Sequence, residues 1–212
     1  MTWTENEILL NQSVDSNPKD IFQAVCDELG KHYSQKGFKY ARSTPKLSYK
    51  DKYIKFEIRF SSSSSNTRGE SVSLGMFPTI SSTELIKAKH KTPYILGVSG
   101  MLTKKGDWEN KNLLIAETVF GEKIEHIDEH MNEPIFSYSN YCNVFALDEI
   151  KFEKLIEFLN DKIFIWITKI KTISGVKEIL ENKNYRTGYE IENSGLLDYF
   201  ELIKKTKAQH RV

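Results

Sequence analysis

The alternating segment at residues 51–60 constrains the fold more than any other stretch of the chain. It reads DKYIKFEIRF, and from residue 53 onward two sets of side chains alternate without a break. Successive side chains of a strand point to opposite faces, so the apolar set would be buried and the other set would meet water. The apolar set consists of Ile54, Phe56, Ile58 and Phe60. This pattern predicts a half-buried strand in an antiparallel sheet.

Further strand-like runs follow this segment. Residues 71–77, SVSLGMF, alternate in the same way, and residues 66–69 between the two strands read as a hairpin turn. Residues 38–42 also alternate. Three later runs are rich in β-branched and aromatic residues, at 93–102, 112–120 and 134–147. The middle of the chain therefore predicts a sheet built from short strands.

Helices are predicted before and after these strands along the sequence. Asn17 can cap a helix that begins at Pro18, and Gly37 suits its end. The apolar stripe of this helix consists of Ile21, Phe22, Val25, Leu29 and Tyr33. Asp148 can cap a long second helix. Its apolar face is predicted from Ile150, Leu155, Leu159 and Ile163.

The end of the long helix is open to two interpretations. Residues 162–170, KIFIWITKI, are β-branched and aromatic enough for a strand, whereas the length of the apolar pattern favours a helix. Two further helices are predicted at residues 174–181 and 194–208. The order of elements predicts an α+β fold, with an antiparallel sheet of five or six strands packed by an N-terminal helix and a C-terminal helical set. Residues 1–16 are interpreted as an N-terminal arm and residues 17–212 as a single domain.

The first third of the chain carries a recognisable order of elements. PKDIFQAVCDELGKHYSQKGFKYARS is followed by YIKFEIRFSSSSSN and ESVSLGMF: a helix, a Gly-Phe-Lys turn into a strand, a long amphipathic strand and a returning strand. This order resembles that of uncharacterised bacterial domain-of-unknown-function families, some of which lie near toxin or defence genes. The resemblance rests on pattern, so it assigns no functional residue.

Composition narrows the cellular setting. The two cysteines have no metal-binding spacing, which favours a reducing compartment. No apolar stretch approaches the length of a membrane span or a signal sequence. No glycine-rich nucleotide-binding motif occurs, so no cofactor is predicted. We therefore expect a cytoplasmic protein that does not bind membranes; its oligomeric state is left open.

The charge distribution suggests a protein partner. The net charge is only +1, yet residues 31–59 are rich in Lys and Arg and residues 107–161 are rich in Asp and Glu. An acidic region favours a basic partner, and Trp residues among acids often anchor interfaces. The predicted partner-binding residues are Asp107, Trp108, Glu109, Glu125, Asp128 and Glu129. The leading hypothesis is a bacterial protein that acts by protein binding, as an immunity or inhibitor protein does.

A metal site is the first alternative. Residues 126–130 read His-x-x-Glu-His, the short pattern of one class of zinc hydrolases. On a helix, His126 and His130 would share a face and Glu129 could activate a water molecule. Glu153 or Glu157 could supply a third ligand. An acidic, solvated surface is the simpler interpretation of the same residues.

Nucleic-acid binding is the second alternative. The outward face of the long strand carries Tyr53, Lys55 and Arg59, and Lys39 and Tyr40 are predicted nearby. Aromatic and cationic side chains on one sheet face can bind single strands by stacking and phosphate contacts. The near-zero net charge and the absence of an RNA-recognition motif argue against this function.

Overall fold

The fold is described from a computed structural model of the chain. The residues it describes are 3–82, 94–97, 104–105, 113–117, 119–121, 123–127, 135–138, 141–181 and 196–209. The strands are β1 (Lys39–Ala41), β2 (Lys46–Lys50), β3 (Ile54–Ser61), β4 (Ser73–Ser82), β5 (Tyr94–Gly97), β6 (Lys104–Lys105), β7 (Leu113–Glu117), β8 (Lys123–Ile127), β9 (Ile135–Tyr138) and β10 (Tyr141–Asn143). The helices are α1 (Glu7–Leu10), α2 (Pro18–Ser34), α3 (Glu149–Phe158), α4 (Ile165–Ile170), α5 (Ile173–Glu181) and α6 (Leu196–Gln209), with a π-turn (Leu159–Phe164) between α3 and α4.

Six of the described strands form one antiparallel sheet. Its order is β1-β2-β3-β4-β10, and β5 pairs with the far end of β4. With helix α2 before it and helices α3 to α6 after it, the predicted α+β fold is confirmed. The four apolar side chains that define β3 are all buried, and their partners across the register on β4 face the same core. Alternation in the sequence therefore gave the correct face of this strand.

A second sheet was not anticipated. Strands β6, β9, β7 and β8 lie in that order, and β7 pairs with β9 in parallel. Strand β2 was also missed, because its sequence KLSYK has a single fully buried residue, Leu47, between polar neighbours. Pairing with β3 makes this segment a strand, and pairing is not visible in local sequence.

The N-terminal helix follows its predicted limits closely. The Asn17 side chain accepts a hydrogen bond from the Lys19 backbone N–H at 3.1 Å, and Pro18 occupies the first turn. The five residues of its predicted stripe are buried. Beyond the helix, Gly37 has φ +86°, a left-handed conformation that glycine adopts with little cost.

The C-terminal helices resolve the ambiguity at residues 162–170 in favour of helix. Asp148 caps α3 by accepting a hydrogen bond from the Lys151 backbone N–H at 2.8 Å, as predicted. Leu155, Leu159 and Ile163 are buried, but Ile150 is 66% exposed, so its assignment to the apolar face is wrong. Ile150 lies five residues before Leu155, which places it on a different side of the helix. Among the described residues, no helix has the length and apolar character needed to cross a bilayer.

An aromatic cluster joins the sheet to both helical layers. The centroid of the Phe164 ring, at the end of the π-turn, lies 4.7 Å from the ring centroid of Tyr33 in α2. It lies 4.7 Å from that of Phe38 and 5.6 Å from that of Phe56 in β3. The Tyr33 hydroxyl donates a hydrogen bond to Asn160 Oδ1 at 3.2 Å. These contacts fix the π-turn against the core and so set the direction of the helix that contains it.

Candidate functional site

A row of acidic side chains runs along the exposed side of the helix formed by α3 and the π-turn. It consists of Glu149, Glu153, Glu157 and Asp161, and we call it the acidic row. All four residues are exposed, and in the described part of the chain none of them forms an ion pair. Residues four apart on a helix are neighbours, so these carboxylates repel one another by about 0.2–0.5 kcal/mol per adjacent pair. Repulsion along the row is therefore a local cost to the helix, although Glu149 in the first turn also gains from the helix dipole.

The π-turn keeps this row in line. Each step of four residues overshoots one α-helical turn by about 40°. A π-helical turn contains about one residue more than an α-helical turn. A four-residue step through it therefore falls short of a full turn and offsets the overshoot. A buried row with the same four-residue spacing shows the effect, since its members remain in the core from α3 into α4. These are Leu155, Leu159, Ile163 and Ile167. The acidic row lies on the opposite side of the same helix.

Two exposed isoleucines lie at the ends of the acidic row. Ile150 follows the first acidic residue and is 66% exposed, and Ile165 lies four residues beyond the last and is 42% exposed. Single exposed apolar residues are common on protein surfaces. Here both belong to the face that carries the unpaired carboxylates. The combination of unpaired charge and apolar contact area is what a protein-binding surface offers.

A second polar cluster joins the sheet to the turn after α4. Lys171 Nζ donates a hydrogen bond to the Tyr49 hydroxyl at 2.6 Å and lies 3.2 Å from Asp51 Oδ2. Asp51 Oδ1 accepts hydrogen bonds from the backbone N–H groups of Tyr53 and Ile54, both at 2.9 Å. The cluster connects residues that are far apart in sequence, and no sequence signal indicated it.

The charges in this cluster argue for a structural role. Burial acts to raise the pKa of Asp51, but the two backbone N–H groups and Lys171 outweigh burial and hold that pKa below its usual value. Burial acts to lower the pKa of Lys171, yet its bonds to Tyr49 and Asp51 hold it above the usual value. Lys171 is therefore a protonated cation, which can serve neither as a base nor as a nucleophile.

The cationic face of β3, which was the candidate surface for nucleic acid, is partly neutralised by ion pairs with a carboxylate on the same strand. Lys46 and Lys55 both pair with Glu57, at 2.8 Å in each case. The Tyr40 hydroxyl donates a hydrogen bond to Asp27 at 2.8 Å, and its ring, like that of Tyr53, packs against the core. Lys39 and Arg59 are exposed. The two tyrosines thus do not offer free stacking faces, and nucleic-acid binding stays a prediction with little support from this geometry.

The two cysteines are buried and free of disulfides. Burial raises the pKa of the Cys142 thiol to about 12, and burial together with Asp27 raises the pKa of Cys26 still further. Both thiols are therefore neutral, whereas a cysteine nucleophile reacts as the thiolate.

The metal hypothesis required His126 to lie on a helix, and the structure has a strand at this position. His126 lies in strand β8, paired with Leu114, so the expectation of a helix at this position is wrong. His130 and Glu129 lie outside the described residues. Glu153 and Glu157, the suggested third ligands, belong to the acidic row. No three His, Cys, Asp or Glu side chains converge as a metal site would require, within the ranges described above.

The predicted partner-binding residues are mostly outside the described ranges. Asp107, Trp108, Glu109 and Asp128 are not among the described residues, and Glu125 lies in β8 opposite Ile115. The acidic row was missed as a site, although its members were part of the acidic stretch at 107–161. Their four-residue spacing was the available signal.

Comparisons with protein-family models, with curated proteins and with solved structures find no match for this chain. Function must therefore be inferred from the residues themselves.

Proposed function

We propose that this protein acts by binding a basic protein partner, as an immunity or inhibitor protein of a bacterial cytoplasm does. The observation that carries the proposal is the acidic row, with its four exposed carboxylates unpaired in the described part of the chain. Such a row lowers helix stability, and a cationic partner would remove the repulsion when it binds. Ile150 and Ile165 supply apolar contacts at the two ends of the same surface.

Charge complementarity sets the chemistry of the partner. Aligned carboxylates attract Lys and Arg side chains from a distance and accelerate association at low salt. The cationic groove of an enzyme that acts on nucleic acids would fit this description. The sequence-predicted residues Asp107, Trp108, Glu109, Glu125, Asp128 and Glu129 remain candidates for the rest of the interface. Binding without catalysis also agrees with the neutral thiols and the protonated Lys171.

Affinity capture from a lysate of the source organism tests this function. The bait is either the wild-type chain or a row-neutral variant with Glu149→Gln, Glu153→Gln, Glu157→Gln and Asp161→Asn. A matched control neutralises four exposed acids elsewhere, with Asp20→Asn, Glu70→Gln, Glu181→Gln and Glu201→Gln. We expect the wild type and the control to retain one basic protein, identified by mass spectrometry, and the row-neutral variant to bind it roughly tenfold or more weakly.

Two outcomes would overturn the proposal. One is a wild-type bait that retains no specific protein. The other is a partner that binds the row-neutral variant and the wild type equally well over a range of salt concentrations. Thermal unfolding of the row-neutral variant provides the folding check, because relief of the repulsion should offset the dipole interaction lost with Glu149.

A further inference from the structure

The N-terminal arm is attached to the start of helix α3 by a few specific contacts. The Trp3 ring lies 5.2 Å from the Phe152 ring. Gln12 Nε2 donates a hydrogen bond to the Leu9 carbonyl at 3.4 Å, and Gln12 Oε1 accepts one from the Ala146 backbone N–H at 2.8 Å. The Gln12 side chain thus links the end of α1 to the loop that leads into α3.

The residue held by Gln12 has an unusual backbone conformation. Ala146 has φ +53°, in the left-handed region that non-glycine residues adopt only at a cost. Its N–H is bound by the arm, and its carbonyl accepts a hydrogen bond from Lys151 Nζ at 3.4 Å. Two residues later Asp148 caps the helix. The conformation that begins α3 is therefore held from outside by Gln12.

The arm itself is weakly attached. Helix α1 has four residues, too few to be stable alone. Leu9 is buried, whereas Ile8, Leu10 and Val14 are each more than 40% exposed. A segment with few buried apolar contacts opens locally at low free energy, without unfolding the rest of the molecule.

We propose that residues 3–16 form a strap that exchanges between a docked and a released state, and that the docked state holds the first turn of α3 in place. Release frees Ala146 to leave the left-handed region and loosens the turn that carries Glu149. The strap would thereby regulate the surface assigned to partner binding. That consequence rests on the proposed function, whereas the exchange of the strap does not.

Amide hydrogen exchange of the full chain tests the strap without any partner. In Gln12→Ala, peptides covering residues 144–152 should exchange roughly five- to tenfold faster, as expected for the loss of one hydrogen bond. Asn11→Ala is the matched control, because the Asn11 side chain is exposed and makes no described hydrogen bond; its exchange should equal that of the wild type.

A second variant tests the coupling between the arm and the start of α3 with a change at Ala146 instead of in the arm. Ala146→Gly relieves the backbone cost, so exchange should slow in residues 144–152 and also in residues 5–12 of the arm. The proposal fails if Gln12→Ala leaves residues 144–152 unchanged, or if Ala146→Gly leaves the arm unchanged. It also fails if β3 amides accelerate in parallel in Gln12→Ala, since the effect would then be global unfolding. Failure of partner capture would leave these results unaffected.

Discussion

His32 is the residue whose environment most directly predicts a response to pH. It lies near the end of α2, its Nε2 atom is buried, and this atom has no hydrogen-bond partner among the described residues. Burial, and then the nearby charge of Lys36, lower the pKa of His32 from its usual value of 6.5. The folded protein therefore prefers neutral His32, whereas the unfolded chain binds a proton near the usual value.

The sign of the resulting pH dependence follows from linkage. Because the folded-state pKa is the lower one, the contribution of His32 is complete above pH 6.5 and is lost as pH falls below it. In His32→Leu, the decrease in unfolding free energy between about pH 7.5 and about pH 5.5 should be smaller than in the wild type. Urea denaturation at the two pH values measures it. Parallel curves for the two proteins would contradict the assignment to His32.

At the scale of the element, the π-turn determines which side chains the long helix presents. It lets rows with four-residue spacing continue from α3 into α4, so one such row stays buried and the acidic row stays exposed. The sequence predicted a helix after Asp148 and most of its buried face, but it left residues 162–170 open between helix and strand. It did not predict the π-turn, because the turn depends on how Phe164 and Tyr33 pack and has no local residue signature.

Deletion of single residues distinguishes the π-turn from the α-helix beside it. Removing Asp161 lets the turn close as a regular α-helical turn, so the flanking buried rows keep their orientation. Removing Lys154 from α3 rotates everything beyond it by about 100° and misaligns the buried row. We expect the Lys154 deletion to lower the unfolding free energy by about 2 kcal/mol more than the Asp161 deletion, measured in urea. Equal losses would count against this account of the π-turn.

At the scale of the whole molecule, the sheet is organised around β3 and β4. Strand β3 was predicted with its correct face because both periodicity and composition marked it. The arrangement of the second sheet was not predictable in the same way. Its parallel pair, β7 and β9, joins segments whose sequences resemble any other apolar strand, and the choice of partner depends on long-range packing. Of the predicted partner-binding residues, only Glu125 lies in a strand of this sheet, so the partner site stays a prediction.

This organisation predicts an order of local stability. Strand β3 is paired on both sides along its length and its apolar face is buried, whereas β1 and β10 are three-residue strands paired on one side in the described sheet. The amides of β3 should be the slowest to exchange with solvent, and those of β1 and β10 should exchange much faster. Hydrogen exchange followed by mass spectrometry measures this order. Exchange of β3 before β1 would contradict it.

Strand β4 has one further consequence, which concerns how such a chain could have evolved. Strand β10 returns to the beginning of β4, at Gly75, after the chain has left the end of β4 at Ser82. The whole second sheet lies in the intervening segment. Along β4, Gly75 and Ser82 are separated by roughly 23 Å, the length of about seven extended residues. A loop of that span would connect the end of β4 directly to the start of β10. The second sheet is thus placed as an insertion whose gain, loss or replacement would leave the order of β1, β2, β3, β4 and β10 unchanged.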